Sequence, residues 1–169
     1  NEVKIFDENF NEVERNSIGQ ICVRGKNVMK EYYKNPIETK KSFHDDWLLT
    51  GDLGLMDSDN FVFVKGRIKE LIIKGGENIS PREIDDVLYQ HPDILEAAAF
   101  GDDCTHYGET VKAGVVLKNK DSVSEKDLIE HCSKILGKFK SPDNIYFFDE
   151  LPKGSSGKIQ RLKIKDQIK

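Results

Sequence analysis

Residues 66–84, GRIKELIIKGGENISPREI, leave the backbone little freedom. Leu71-Ile72-Ile73 is an apolar run that reads as a buried strand. It ends at Gly75-Gly76, a pair that tolerates backbone angles closed to other residues. Ser80 then stands as a helix N-cap, with Pro81 at the first helical position and Glu83 three residues past the cap, the spacing of a capping box. Ile84, Val87 and Leu88 supply the i, i+3, i+4 apolar face of the helix, and His91-Pro92 stops it.

The sequence on the two sides of this stretch differs in kind. Upstream, Val3-Lys4-Ile5-Phe6 alternates like a strand, and residues 18–25 read as a second strand bounded by glycines. Residues 38–43, after Asn35-Pro36, suit one or two helical turns. Trp47-Leu48-Leu49 leads into Thr50-Gly51-Asp52, and residues 53–56 form another short strand. Asp57-Ser58-Asp59-Asn60 is turn chemistry, and Phe61-Val62-Phe63-Val64 pairs back as a hairpin. Little in this half could build a closed core alone. Downstream, residues 94–100 and 111–117 read as strands. Ser124 caps a second helix with Leu128, Ile129, Cys132, Ile135 and Leu136 on its apolar face and Gly137 at its C-terminal end. Residues 145–148 are a third strand, and the polar loop 152–157 leads into a last short basic helix. The expected fold class is α+β: an antiparallel β-subdomain over residues 1–68, then a small C-terminal domain over residues 69–169, a short sheet packed with two to three helices.

Charge and cysteine content narrow the partners. Twenty-six basic against thirty acidic side chains give a net charge of -4, which argues against a general nucleic-acid binder. The charge is uneven: Lys153, Lys158, Arg161, Lys163, Lys165 and Lys169 face only Glu150 and Asp166 in the last twenty residues. Such a tail suits a local anionic partner such as a nucleotide, or a solvated end. Cys22, Cys104 and Cys132 are odd in number and widely spaced, which points to a reducing compartment and away from disulfides or a zinc site. The four histidines have no metal-like spacing, and no metal ligands are assigned. No apolar run approaches membrane-spanning length and no signal peptide is evident, so the expected localisation is cytoplasmic. The chain begins at Asn1, which suggests an excised piece of a longer protein.

Four short stretches carry chemistry. In LPKGSSGKIQR (residues 151–161) the P-loop spacing fails, because Gly154 is too close to Gly157 and Ile159 follows Lys158 where a hydroxyl is required. A lysine offered to an anionic centre from a small-residue loop is one reading, and a solvated basic loop is the other. Asp52, after Thr50-Gly51, can accept hydrogen bonds from a ribose diol or serve as an ordinary turn former. Arg67 suits an oxygen-rich ligand through its planar fork, or a surface salt bridge. Gly75-Gly76 admits a thin ligand close to the backbone, or makes an ordinary tight turn.

Together and in order, GQICVRG (residues 19–25), WLLTGDLG (47–54), the 66–84 stretch and LPKGSSGKI (151–159) resemble successive core motifs of the adenylate-forming superfamily. That superfamily holds acyl-CoA synthetases, luciferase-type enzymes and peptide-synthetase adenylation domains. KGGENISPREI (residues 74–84) is most similar to fatty-acyl and related CoA ligases. The resemblance covers essentially the whole chain. Three positions depart from it: Glu31 replaces a usual glycine, Asn78 a frequent Arg or Gln, and Gln20 a common Glu.

The resemblance implies a fragment of an ATP-dependent carboxylate–CoA ligase, an acid–thiol ligase that forms acyl-CoA through an acyl-adenylate. Residues 1–68 would close the large N-terminal domain and residues 69–169 would be the C-terminal lid. It assigns Lys158 as the catalytic lysine, Asp52 and Arg67 as nucleotide contacts, Gly75 and Gly76 to the coenzyme A side, and Lys69 as the hinge about which the lid rotates. The substrates implied are ATP, coenzyme A and a small carboxylic acid, with Mg2+ held by residues of the upstream domain. The phosphate loop and acid pocket would lie there too, so the chain alone is expected to be inert in adenylation. A carrier-protein thiol or a luciferase-like reaction would keep adenylation and change the acceptor. A non-catalytic module that retains the fold is the reading from a different class.

Overall fold

A computed structural model describes residues 1–120 and 122–168; Lys169, counted above in the basic tail, lies outside them. The chain divides into two compact units, Asn1–Lys69 and Glu70–Lys169.

The first unit is an antiparallel sheet. It comprises β1 (Glu2–Phe6), β2 (Gly19–Arg24), β3 (Phe43–His44), β4 (Trp47–Met56) and β5 (Val62–Arg67), with the short helix α1 (Pro36–Lys41) before β3. β2 lies between β1 and β4, while β3 and β5 follow one another along the far edge of β4. The Asn35 side chain caps α1 by accepting from the Glu38 amide. Where two short runs were expected around Thr50-Gly51-Asp52, a single ten-residue strand runs through. Gly51 takes a positive φ of 75°, which bends the strand without ending it. The Thr50 hydroxyl stitches the bend by donating to the Ile21 carbonyl at 2.7 Å and accepting from the Asp52 amide at 3.0 Å. The core is small, as expected: Ile5, Ile21 and Met56, flanked by Val3 and Val13. Phe61 and Phe63 stay exposed.

A 3-10 turn, Ile68–Glu70, leads into the second unit. Its strands are β6 (Ile72–Lys74), β7 (Glu77–Ile79), β8 (Ile94–Cys104), β9 (Gly108–Leu117) and β10 (Asn144–Phe147); its helices are α2 (Pro81–Leu88), α3 (Glu125–Lys140) and α4 (Arg161–Gln167). The long β8–β9 hairpin is the spine. On the other edge of β9, β10 pairs in parallel and β6 touches only at Lys74 opposite Gly108. The parallel pairing needs a crossover, and α3 supplies it. The fold is thus the expected α+β, with three helices on the second sheet.

Strand alternation builds two cores from one sheet. Ala97, Ala99, Val111, Ala113 and Val115 pack with Ile84, Val87 and Leu88 of α2 and with Leu128 and Cys132 of α3. Ala98, Phe100 and Val116 pack on the other face with Leu151 and with Ile164 of α4. Gly114 sits on that second face, where a Cβ would stand 3.0 to 3.1 Å from Phe148, Ile164 and Leu151. The glycine lets the C-terminal segment approach the sheet.

Two local expectations are corrected. The run Leu71-Ile72-Ile73 is not uniformly buried: Ile72 is buried, Ile73 is 53% exposed, and Lys74 is only 4% exposed. A strand alternates its faces, so seating Ile72 in the core turns Ile73 outward and Lys74 inward. Ser80 and Pro81 do begin α2, but the capping box does not form, and Ser80 makes no side-chain capping bond. Glu83 instead accepts from Lys140 Nζ at 2.8 and 2.9 Å. Gly137 interrupts α3 with φ 76° and ψ 164°, and its last residues follow beyond that break. All three cysteines are free thiols, and burial pushes Cys22 and Cys132 up to about 11. Among the described residues no helix is long and apolar enough to cross a membrane.

Candidate active site

In the first unit the register sets Asp52 of β4 opposite Arg67 of β5. Arg67 Nε donates to Asp52 Oδ1 at 2.8 Å. The side chains are 33% and 48% exposed, so the pair faces outward. Among the described residues Asp52 Oδ2 and the terminal nitrogens of Arg67 have no partner, and this donor–acceptor set fits a ribose diol. Lys69 lies exposed in the 3-10 turn, the last residue of the first unit.

In the second unit Gly75 and Gly76 are the two central residues of the β6–β7 hairpin turn, with φ of 59° and 85°. Two successive positive φ angles are the signature of a type I′ turn. A Cβ at Gly76 would meet nothing within 4 Å, so this backbone is open to close approach. The Gly75 amide donates to the Tyr107 carbonyl at 2.8 Å. The buried Lys74 beneath the turn donates to Asp143 Oδ2 at 3.0 Å and lies over the rings of Phe139 and Tyr107 at 5.5 and 5.9 Å. Thr110 also donates to Asp143. Lys74 thus fastens the glycine turn to the loop before β10, a role that its place in an apolar run does not disclose.

Residues 152–160 fold back on themselves. Gly154 and Gly157 amides donate to the Lys158 and Gly154 carbonyls at 2.9 Å each, and the Gln160 amide to the Pro152 carbonyl at 2.7 Å. Lys153 and Ile159 form a β-bridge across the stem. Lys158 stands exposed, and among the described residues no ion pair occupies its ammonium. The stem is braced on both sides. Lys153 Nζ lies 2.6 Å from Glu96 Oε1 and 3.5 Å from Glu150 Oε1. Arg161, the first residue of α4, donates through NH2 to Asp85 Oδ2 at 2.7 Å and through NH1 to Asp85 Oδ1 at 3.2 Å and to the Ala99 carbonyl. Burial pushes the Asp85 carboxyl up from its ordinary value, and the Arg161 guanidinium pulls it back.

The structure therefore brings Asp52 and Arg67 together, while Gly75-Gly76 and Lys158 stand on separate supports within the second unit. Sequence reasoning missed those supports: Lys74 with Asp143, and Arg161 with Asp85. One signal was available, since Asp85 sits among the apolar residues of α2 and a buried carboxylate requires a cation. Among the described residues no group of three or more His, Cys, Asp or Glu side chains is arranged to hold a metal ion.

Residues 83–158 match the AMP-binding enzyme C-terminal domain. The chain is 49% identical over 148 residues to the sulfoacetate–CoA ligase of Cupriavidus necator, covering 87% of this chain and 29% of that protein. It is 44% identical over 160 residues to the oxalate–CoA ligase of Arabidopsis thaliana, covering 95% and 31%. It superposes on o-succinylbenzoate CoA synthetase of Bacillus subtilis, solved with its acyl-adenylate intermediate, with a TM-score of 0.90 and 38% identity over 98% of this chain and 34% of that one. The chain belongs to the adenylate-forming, AMP-binding enzymes, and within them to the acyl-CoA ligase family. It spans about three-tenths of the length of the curated relatives it matches.

Proposed function

We propose that the protein carrying this chain is an AMP-forming carboxylate–CoA ligase. A carboxylate oxygen attacks the α-phosphorus of ATP, the bond to the bridging oxygen breaks, and pyrophosphate leaves. The thiol of coenzyme A then loses its proton and attacks the acyl carbon, and AMP leaves with the electrons of the C–O bond. Residues 1–68 act as the closing part of a larger nucleotide-binding domain, and residues 69–169 act as a lid that rotates about Lys69 between the two half-reactions. Mg2+ accompanies ATP and is held by residues outside this chain.

One observation carries the reading. Lys158 projects, exposed and without an ion-pair partner among the described residues, from a loop braced at both stems. A fixed, unneutralised ammonium is what the first half-reaction needs, because two anions must meet as charge builds on the phosphoryl oxygens. Asp52 and Arg67 hold the nucleotide sugar, and Gly75-Gly76 borders the arm of coenzyme A. Relatives named as ligases of sulfoacetate, oxalate and long-chain fatty acid to coenzyme A support that acceptor.

The test combines ATP, coenzyme A and a panel of carboxylic acids with the protein and its Lys158→Ala variant. The variant should lose acyl-adenylate formation by about 10²–10³ and keep thioester formation from supplied acyl-adenylate. Equal loss of both halves would refute the role given to Lys158.

A further inference from the structure

A mostly buried ionic cluster of the second unit joins two places that the proposed function keeps apart in sequence. Arg161 follows Lys158 by three residues, and its side chain is 16% exposed. Beyond the bidentate bond to Asp85 and the bond to the Ala99 carbonyl, its Nε reaches Glu70 Oε2 at 3.4 Å. Asp85 Oδ1 accepts from the Ala99 amide at 2.6 Å as well. One guanidinium therefore ties α2, β8 and the 3-10 turn to the base of the Lys158 loop. Glu70 closes that turn and directly follows Lys69.

We infer that Arg161 is a positioning residue that makes the Lys158 loop turn as one body with the residue just past the pivot. The inference rests on the roles proposed above for Lys69 and Lys158. A rotation at Lys69 carries Lys158 into and out of place only if nothing yields between them. Ninety-one residues separate Glu70 from Arg161 along the chain, and the ion pair shortens that path to one contact. The side chain must be arginine, because two nitrogens are engaged by Asp85 in a fixed plane while Nε faces Glu70. A lysine ammonium, a point charge on a flexible stem, cannot present that three-sided fork. The two acidic partners do different work. Asp85 is buried and its pairing holds the fold, so truncating Asp85 or Arg161 strands a buried charge. Glu70 is 26% exposed, and losing it spares the fold.

The experiment therefore uses Glu70→Ala and Glu70→Gln, with Arg161→Lys as the complementary variant, in the full-length protein that carries this chain. Amide hydrogen exchange is read in residues 153–160 and, as an internal reference, in β8 and β9. Glu70→Ala should speed exchange in 153–160 by about two- to fivefold, as expected of a partly exposed ion pair, and leave β8 and β9 unchanged. Glu70→Gln, which keeps an acceptor for Arg161 Nε, should recover part of the loss, and Arg161→Lys should loosen the same loop. Single-turnover acyl-adenylate formation should fall with the loop exchange, while thioester formation from supplied acyl-adenylate holds. Wild-type exchange in 153–160 after Glu70→Ala, or an equal slowing of both half-reactions, overturns the coupling. The exchange reading does not depend on any activity. If Lys158→Ala spares adenylation while Glu70→Ala still loosens the loop, the functional assignment falls and the mechanical link stands.

Discussion

Arg67 donates through Nε to Asp52 Oδ1 at 2.8 Å, across a register that sets the two residues opposite each other on neighbouring strands. The arginine is supported by the strand pairing and in turn orients the carboxylate. The open Oδ2 is the atom proposed to take the ribose. Asp52→Ala should therefore raise the KM for ATP by roughly 10- to 100-fold, equivalent to a charged hydrogen bond of about 1.5–3 kcal/mol. Arg67→Ala should shift it in the same direction by less, since Asp52 stays in place. Steady-state kinetics at saturating acid and coenzyme A measure both; an unchanged KM for ATP in Asp52→Ala would exclude the ribose contact.

Lys69 lies in a 3-10 turn where the two units meet in sequence. A pivot must change its φ, and proline cannot. Lys69→Pro should slow overall turnover while at least one half-reaction, measured alone in single-turnover assays, keeps its rate. Loss of both halves together would point to a folding defect and away from a blocked rotation.

Gly76 has open space where a Cβ would go and a φ of 85° that L-residues resist. Gly76→Ala should cost about 1–2 kcal/mol of stability through backbone conformation alone, read as a lower midpoint in chemical unfolding. Thioester formation should suffer more than adenylation if the turn borders coenzyme A as proposed. A neutral effect on stability would mean that the turn readjusts.

Asp102 accepts from Lys112 Nζ at 2.6 Å and lies 3.0 Å from Lys165 Nζ. The hydrogen bond from Lys112, seconded by Lys165, holds its carboxyl down at about 2 against an ordinary 3.8. A carboxyl lowered in the folded state favours folding above its unfolded value, and that contribution fades as pH falls from 3.8 toward 2. Melting temperatures of the protein and of Asp102→Asn should differ most above pH 3.8 and converge near pH 2. Parallel curves over that window would show that the lysines contribute nothing to folding through Asp102.

Local signals made much of this architecture legible. Alternating residues marked β1, bounding glycines marked β2, Asn35-Pro36 stands at the start of α1, two residues before the helical turns expected there, and Ser124 caps α3 by accepting from the Asp127 amide at 3.3 Å. The loop holding Lys158 was equally clear, since glycines and serines between apolar residues admit little else. Local reading failed where a side chain had two possible partners. Glu83 has the spacing to cap its own helix, yet Lys140, 57 residues away, takes it. The expected break at Thr50-Gly51-Asp52 vanished because neighbouring strands supplied hydrogen bonds on both edges of β4.

The sequence by itself determined the fold class and most of the elements, and it set out the short stretches proposed to carry chemistry. Each depends on residues within a few positions of one another, where periodicity, caps and glycine conformations act. Tertiary structure alone decided which charges found each other. Lys74 is turned inward by the seating of Ile72 and answered by Asp143 from 69 residues away. Arg161 gathers Asp85 and Glu70 from 76 and 91 residues away. Burial makes those pairings obligatory, because a desolvated charge must be matched, but the partner is whichever opposite charge the packed chain brings within reach.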